Sequence, residues 1–270
     1  HRLARDGSGE KLEETLQTIA QLKDAPGIRL QIRLLADSRD AVQGRAKQML
    51  DAQGTAGLDE LVRAMADPDP RISFVAARRV SELGERGLPM LMRNATSSPD
   101  PIVRQACFKA IASIGLGAAR EAVARGLTDP VAEVRREALQ AASRIPAGEY
   151  ASTIPQLLEQ EPKETHLLAV EVAGQAQIGQ AVPVLLRQIE AGHPNSVRIL
   201  WALGRIGDQR ALSVLAAKAR SPESFTRQIA VTALGGLPGE QAMQVLMEAM
   251  LDPDPMVRMA AEKALSTPGR

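Results

Sequence analysis

The sequence predicts an all-α fold, an α-solenoid of about seven to eight helix pairs with a period of about 31 residues. One register position recurs at steps of 31, 31, 31, 30, 31 and 31 residues, and Gln43 extends the series by one step of 30. The register residues are Ser73, Arg104, Arg135, His166, Ser196, Arg227 and Arg258. Aromatic residues make up only 2% of a chain that is 44% hydrophobic. Small aliphatic side chains favour closely packed helices over sheets.

The first helix of each repeat carries the register residue, and in five repeats it follows an Asp-Pro pair, such as Asp67-Pro68, or a Ser-Pro pair. Asp129-Pro130 precedes Arg135, and Asp252-Pro253 precedes Arg258. We expect the Asp side chain to cap the helix and the proline to occupy its first turn. Apolar residues then follow at positions +3, +4, +7 and +10, counted from the register residue, which is helical spacing with one buried face. The +3 positions hold Ala76, Cys107, Ala138, Ala169, Ile199, Ala230 and Ala261.

Glycines end the first helix, and a second helix follows in each repeat. Gly84, Gly115 and Gly207 stand where a left-handed C-cap is expected. The second helices are marked by an apolar column at +19: Val62, Met92, Val123, Ile154, Leu185, Leu215 and Leu246. Because neither helix can bury its apolar stripe alone, the repeats are expected to stack.

The period predicts one continuous array over residues 1–270, because stacked repeats share a core. Residues 1–40 are interpreted as degenerate N-terminal helices, with a further helix pair over 11–35, and residues 41–270 as regular repeats. The chain starts at His1 and within a repeat. We therefore expect it to be a piece of a longer protein.

Composition argues against several classes of function. The 33 basic and 32 acidic side chains nearly cancel, which disfavours a dedicated nucleic-acid-binding domain. The single cysteine, Cys107, allows no intrachain disulfide and is interpreted as a small buried hydrophobe. No apolar run approaches the roughly 18–20 residues that span a bilayer. We expect no membrane insertion and a cytoplasmic location.

Two motifs give the chain a family resemblance. Asp-Pro-x-x-x-Val-Arg occurs from Asp129 and from Asp252, and Ala202-Leu-Gly-Arg-Ile-Gly207 carries the matching helix end. These residues resemble the HEAT-repeat family, most closely its short bacterial type named for phycobiliprotein lyases, over about residues 40–266. The resemblance implies a right-handed superhelical stack. It implies little about activity, because many unrelated functions share such a scaffold.

The resemblance also implies an Asp–Arg ladder between neighbouring repeats. Asp129, Arg135, Asp252 and Arg258 match its positions, and Arg104 and Arg227 are further donors. Ser73, His166 and Ser196 replace the arginine, so the ladder is expected to be interrupted there. His166 is interpreted as a half-buried substitute for the ladder arginine. These residues are assigned to the fold, not to a binding patch.

No arrangement of residues points to catalysis, a metal or a cofactor. His1, His166 and His193 lie far apart in sequence and form no metal-binding motif. Iron-dependent hydroxylases built on HEAT repeats use His-Glu pairs, and the chain has none. The scarce aromatic residues argue against a bilin lyase and a DNA glycosylase, which are retained only as second alternatives.

The remaining candidate site is the predicted concave ridge of the register helices, at positions +5 and +9. Trp201, the only tryptophan, lies there with Arg198 and Arg205 on one helix face. The full candidate set is Arg78, Lys109, Arg144, Arg198, Trp201 and Arg205. Trp and Arg are enriched at binding hot spots. In the alternative interpretation, Trp201 fills a packing gap beside Ser196 and the arginines stack on its ring.

The sequence therefore predicts a non-catalytic scaffold that presents a concave groove to a protein or peptide, such as an acidic or extended segment. A regulatory or accessory domain of a larger enzyme or transport machine is the first alternative. In that case the partner is a flanking domain of the same protein.

Overall fold

The computed structural model describes residues 9–115, 117–160 and 163–266. Over these residues it is built of helices, without a strand, as the sequence predicts. The α-helices are α1 (Gly9–Ala20), α2 (Ala25–Leu34), α3 (Asp40–Ala52), α4 (Gly54–Ala64), α5 (Pro70–Leu83), α6 (Leu88–Ser97), α7 (Pro101–Ile114), α8 (Arg120–Gly126), α9 (Ala132–Ala142), α10 (Ile154–Gln160), α11 (Lys163–Gln175), α12 (Val182–Glu190), α13 (Ser196–Ile206), α14 (Leu212–Lys218), α15 (Ser224–Leu234), α16 (Glu240–Ala249) and α17 (Pro255–Ser266).

The repeat pattern of the sequence is reproduced in the helices. Gln43 lies in α3, and the seven later register residues lie in the odd-numbered helices α5 to α17. The seven residues of the +19 column lie in the even-numbered helices α4 to α16. The predicted N-terminal pair over 11–35 corresponds to α1 and α2, whereas residues 1–8 lie outside the described part of the chain.

The chain forms two compact units. One comprises His1–Ala122 and Asp129–Ala141, and the other comprises Val123–Thr128 and Ala142–Arg270. In the second unit the register helices α11, α13, α15 and α17 pack side by side in sequence order. The intervening helices α10, α12, α14 and α16 each contact the register helix that follows. The single continuous array and the right-handed superhelix stay predictions.

The apolar columns form the core. All seven +3 residues are fully buried, Cys107 among them. Burial raises the pKa of the Cys107 thiol to about 12, so this cysteine is a packed hydrophobe without thiolate character at neutral pH. The residues at position +7, from Val80 in α5 to Leu234 in α15, are also fully buried. Leu265, its last member, is exposed.

The helix starts differ from the prediction by two residues. Asp67 and Asp252 do not cap the helices; Asp69 and Asp254 do, with their carboxylates accepting from Arg71 N and Met256 N. Asp252 Oδ1 instead accepts from the N–H of Asp254 and closes a turn ahead of the helix. These helices begin at the second proline of each Asp-Pro-Asp-Pro run, which occupies the first helical position. The predicted left-handed C-caps are confirmed at Gly115 and Gly207. The prediction is wrong for Gly84, which ends α5 with a positive φ of 51° but a ψ of −125°, outside the left-handed helical region.

The register helices of the second unit approach one another through glycine and alanine. A Cβ atom on Gly204 would lie 2.5 Å from Ala233 Cα, and one on Gly235 would lie 2.7 Å from Ala264 Cβ. These distances are shorter than van der Waals contact. Position +8 of one repeat therefore packs directly on position +6 of the next.

No helix in the described part of the chain is long and apolar enough to cross a membrane.

Candidate functional site

The ladder arginine Arg104 joins two loops of the first unit. Its Nε and Nη2 donate to the Oδ2 and Oδ1 of Asp129 at 2.8 and 3.0 Å. Its Nη1 donates to the carbonyl oxygen of Ser98 at 2.9 Å. Arg104 thus closes the loop before its own helix and binds the aspartate at the same position of the next repeat. Planar, bidentate pairing with a carboxylate is a property of arginine that lysine lacks.

Both carboxylate oxygens of Asp129 accept hydrogen bonds in this arrangement. Its Oδ1 also accepts from the N–H of Val131 at 2.9 Å. Burial alone would raise the pKa of Asp129, but the hydrogen bonds from Arg104 and Val131 hold that pKa below its usual value. The carboxylate is therefore charged at neutral pH and almost buried together with its partner.

The second unit repeats the same contact. Arg227 donates in the same two-pronged way to Asp252, at 2.8 and 2.9 Å, and its Nη1 donates to Ser221 O. Arg135 and Arg258 donate to the carbonyl oxygens of Asp129 and Asp252, six residues earlier in the chain. Each of the four ladder arginines therefore orders its own loop, and Arg104 and Arg227 also bind the aspartate of the next repeat.

His166, which stands at a ladder position, is buried rather than half-buried as the sequence suggested. Its Nε2 lies 3.1 Å from Gln188 Oε1, and its Nδ1 lies 3.1 Å from Asn195 Nδ2. The ring stacks on His193, with centroids 4.3 Å apart. An amide oxygen can only accept and an amide nitrogen only donate, so this geometry fits a neutral imidazole protonated at Nε2. The cluster stands where Arg104 and Arg227 make the arginine fork in other repeats.

The His166 cluster predicts acid sensitivity. Burial lowers the pKa of His166 below its ordinary value, and the neighbouring His193 lowers that pKa further. In the unfolded chain the imidazole takes up a proton near pH 6.5, whereas in the folded protein it resists protonation. Stability is therefore expected to fall as the pH drops below about 6.5. Thermal unfolding at pH 7 and pH 5 should show a larger decrease in Tm for the wild type than for His166→Gln. An equal decrease in both proteins would exclude this cluster as the cause.

Trp201 lies half-buried on α13, in the predicted +5 position. Its ring is packed against the backbone of α11, because a Cβ atom on Gly174 would lie 3.3 Å from Trp201 Cζ3. The guanidinium of Arg205 stacks on the ring, with Arg205 Cζ 5.1 Å from the centroid. Arg198 is exposed on the same helix, and its Nη1 lies 3.9 Å from Glu171 Oε1. The ring thus contacts both the guanidinium of Arg205 and the backbone of α11, and Trp201 as a whole stays half-buried.

The structure brings only part of the candidate set together. Trp201, Arg198 and Arg205 share α13, and Arg144 is exposed in the same unit without a hydrogen bond, ion pair or ring contact to Trp201 in the described residues. Arg78 and Lys109 are exposed in the first unit. Arg78 Nε lies 3.6 Å from Glu82 Oε1. We name Arg198, Trp201 and Arg205 the Trp201 patch.

No group of three or more His, Cys, Asp or Glu side chains able to hold a metal ion occurs in the described part of the chain. The described histidines, His166 and His193, form a stacked pair in contact with amides. His1 lies outside the described residues. The pairing was missed because the two histidines are 27 residues apart in sequence. The repeat period of about 31 residues is the sequence feature that could have predicted the pair, because residues about one repeat apart lie close together.

Comparison with known proteins agrees with the helical repeat. A profile of HEAT repeats matches residues 28–112, 88–160 and 196–266, which is more than half of the chain. The profile is general, so the short bacterial type stays a prediction. No curated protein matches the chain in sequence.

Several solved structures are similar. An engineered protein has a TM-score of 0.57 at 19% identity, covering 98% of this chain and 86% of its own. Escherichia coli YibA has a TM-score of 0.55 at 16% identity, covering 97% and 99%. Human deoxyhypusine hydroxylase, solved in complex with glycerol, has a TM-score of only 0.38 at 19% identity, covering 94% and 98%. At these identities the first two show the fold alone.

Proposed function

The chain belongs to the HEAT-repeat family, and we propose that it is a non-catalytic scaffold that binds a protein or peptide through the Trp201 patch. The observation that carries the proposal is the position of Trp201. In the other repeats, +5 holds Arg78, Lys109, Gln140, Glu171, Thr232 and Lys263, all polar or charged. A single large aromatic side chain among them is the residue that a partner can bury most favourably.

The charges around the ring define the partner chemistry. Arg198 and Arg205 present two guanidinium groups on one helix face, and Arg205 is held over the ring by its stacking. A carboxylate between them would gain charge-assisted hydrogen bonds, while an apolar side chain covered the exposed part of Trp201. An extended peptide with an acidic residue next to an apolar one fits this pattern. The proposal requires no cofactor or metal.

Comparative capture from nuclease-treated lysate tests the proposal. The baits are the wild type, the patch variant Arg198→Gln/Trp201→Ala/Arg205→Gln, and the control Arg187→Gln/Arg220→Gln. Arg187 lies on α12 and Arg220 follows α14; both are exposed and pair with Glu159 and Glu248. All three baits must have equal helicity. We expect a protein that the wild type and the control capture and the patch variant loses.

Binding of the captured protein, once purified, gives the magnitude. Truncation at a hot spot costs about 2 kcal/mol or more, which corresponds to at least a thirtyfold increase in Kd. Equal capture by all three baits, or a partner protein bound equally well by the patch variant, would contradict the proposal. Trp201 would then be a packing residue over Gly174.

A further inference from the structure

A cavity of about 540 Å³ opens between two loops of the first unit. The end of α2 and the loop that follows it line one side, and the loop before α5 and the start of that helix line the other. The charged side chains of the lining are Arg33, Asp37, Arg39, Asp67, Asp69 and Arg71. The volume lies in the range of small-ligand sites, and the charged lining indicates a charged ligand.

The cavity lies where the ladder lacks an arginine. Asp67 stands at the ladder position of its loop, as Asp129 and Asp252 do in theirs. Asp129 and Asp252 each bind the register arginine of the preceding repeat through Nε and Nη2. The register residue before Asp67 is Gln43, which is shorter than arginine. Gln43 Nε2 donates to the carbonyl oxygen of Asp37 at 2.8 Å and makes no hydrogen bond to Asp67.

Asp67 is the carboxylate at the cavity without a cationic partner. Asp37 pairs with Arg39 through two hydrogen bonds of 2.8 and 2.9 Å, and Asp69 pairs with Arg71 through two of 3.2 and 2.9 Å. Asp67 Oδ1 accepts from the N–H of Asp69 at 2.9 Å, whereas Asp67 Oδ2 has no hydrogen bond or ion pair within the described residues.

The Asp67 carboxylate is nevertheless held as the paired ladder aspartates are. Asp129 Oδ1 and Asp252 Oδ1 also accept from the N–H two residues later, while the same carboxylates bind arginine. One half of the ladder contact is therefore formed at Asp67, and the other half needs a guanidinium.

Arg33 supplies the other unpaired charge at the cavity. It is exposed in the last turn of α2, and its side chain makes no hydrogen bond or ion pair in the part of the chain that the structure describes. Hydrogen bonds from Arg71 lower the pKa of Asp69 below its usual value, and the charge of Arg33 lowers that pKa further. Arg33 therefore lies near the loop that carries Asp67. A purely cationic ligand would be repelled by Arg33, and a purely anionic one by Asp67.

We propose that this cavity binds a ligand with one guanidinium and one carboxylate, the guanidinium pairing with Asp67 and the carboxylate with Arg33. The contact of Arg104 with Asp129 is the template for the first pair. An ammonium group cannot form this two-pronged contact. Free arginine and the C-terminal arginine of a peptide both carry the required chemistry. The inference does not depend on the Trp201 patch, which lies in the second unit.

Ligand-detected NMR titration of the full chain tests the proposal with two probes, L-arginine and Nα-acetyl-L-arginine. The acetylated probe represents the C-terminal arginine of a peptide, because its α-amine is blocked. We expect saturable binding, and the tighter probe identifies the source of the ligand. Nα-acetyl-L-arginine amide lacks the carboxylate, and Nα-acetyl-L-citrulline carries an uncharged urea. Both should bind with a Kd at least about tenfold higher, because each loses a hydrogen-bonded charge pair.

Substitutions in the cavity test the two contacts. Asp67→Asn keeps an acceptor for the N–H of Asp69, so the loop is expected to stay folded. Asp67→Asn and Arg33→Gln should each raise the Kd at least about tenfold. The control is Asp59→Asn on α4, which removes a carboxylate that pairs with Arg93 outside the cavity lining. The control should bind like the wild type, and all variants must have equal helicity.

Gln43→Arg tests the ladder argument itself. The substitution supplies the guanidinium for Asp67 from within the chain, so it should abolish binding of both probes. Gln48→Arg adds the same charge at an exposed position of α3 and should leave binding unchanged. No saturable binding of either probe to the wild type would overturn the proposal. Wild-type affinity in Asp67→Asn, in Arg33→Gln or in Gln43→Arg would also overturn it.

Discussion

Asp129→Ala is expected to lower the free energy of unfolding by about 3 kcal/mol, because it leaves a nearly buried guanidinium without its carboxylate. Arg104 would keep its hydrogen bonds to the carbonyl oxygens of Ser98 and Pro99. It would lose both charge-assisted hydrogen bonds to Asp129. The turn that Asp129 closes with the N–H of Val131 would also be lost. Chemical unfolding followed by circular dichroism measures the change.

A matched control separates this effect from the loss of any ion pair. Glu248 binds Arg220 at 2.6 Å with both side chains at least half exposed. Exposed pairs contribute little, so Glu248→Ala should change stability by no more than about 0.5 kcal/mol. A loss in Asp129→Ala as small as that in Glu248→Ala would show that the fork does not hold adjacent repeats together.

Gly204→Ala is expected to destabilise the protein by about 1–2 kcal/mol, and Gly204→Val by about 3 kcal/mol. The added Cβ atom would lie 2.5 Å from Ala233 Cα and 2.7 Å from Ala233 O. These are backbone atoms of α15, so α13 and α15 must separate along their contact. The overpacking cost exceeds the gain of about 1 kcal/mol in helix propensity from glycine to alanine.

Gly44→Ala is the control, for which we expect the opposite change in stability. Gly44 is an exposed residue of α3, and an added Cβ atom would meet nothing within 4 Å. The substitution should stabilise the protein by about 0.5–1 kcal/mol through helix propensity alone. Stabilisation by both alanine variants would contradict the close approach of α13 and α15.

The periodic features of the fold could be predicted from the sequence. The +3, +7 and +19 columns mark buried helix faces, because a repeated spacing constrains every repeat at once. The exact start of the helices could not, since Asp-Pro-Asp-Pro offers two prolines and two capping carboxylates. The choice between them depends on Asp252 binding Arg227 of the preceding repeat, which is a contact between residues 25 positions apart.

The candidate site was less predictable. The register gave the position of Trp201, but its packing on Gly174 depends on how closely two helices approach. The His166 cluster could not be predicted, because His193 and Asn195 lie in a loop that has no counterpart in the repeat motif. The exposed methionines of α16 have the same residue types as a core stripe, so sequence alone does not distinguish them from buried ones.

The proposed function requires that a partner contacts the surface at Trp201. The most direct measurement is photo-cross-linking in cells, with a photoreactive phenylalanine analogue replacing Trp201 in one protein and Arg187 in another. We expect one dominant adduct with another protein from position 201 and none of the same mass from position 187. The same adduct from both positions, or no adduct from position 201, would contradict it.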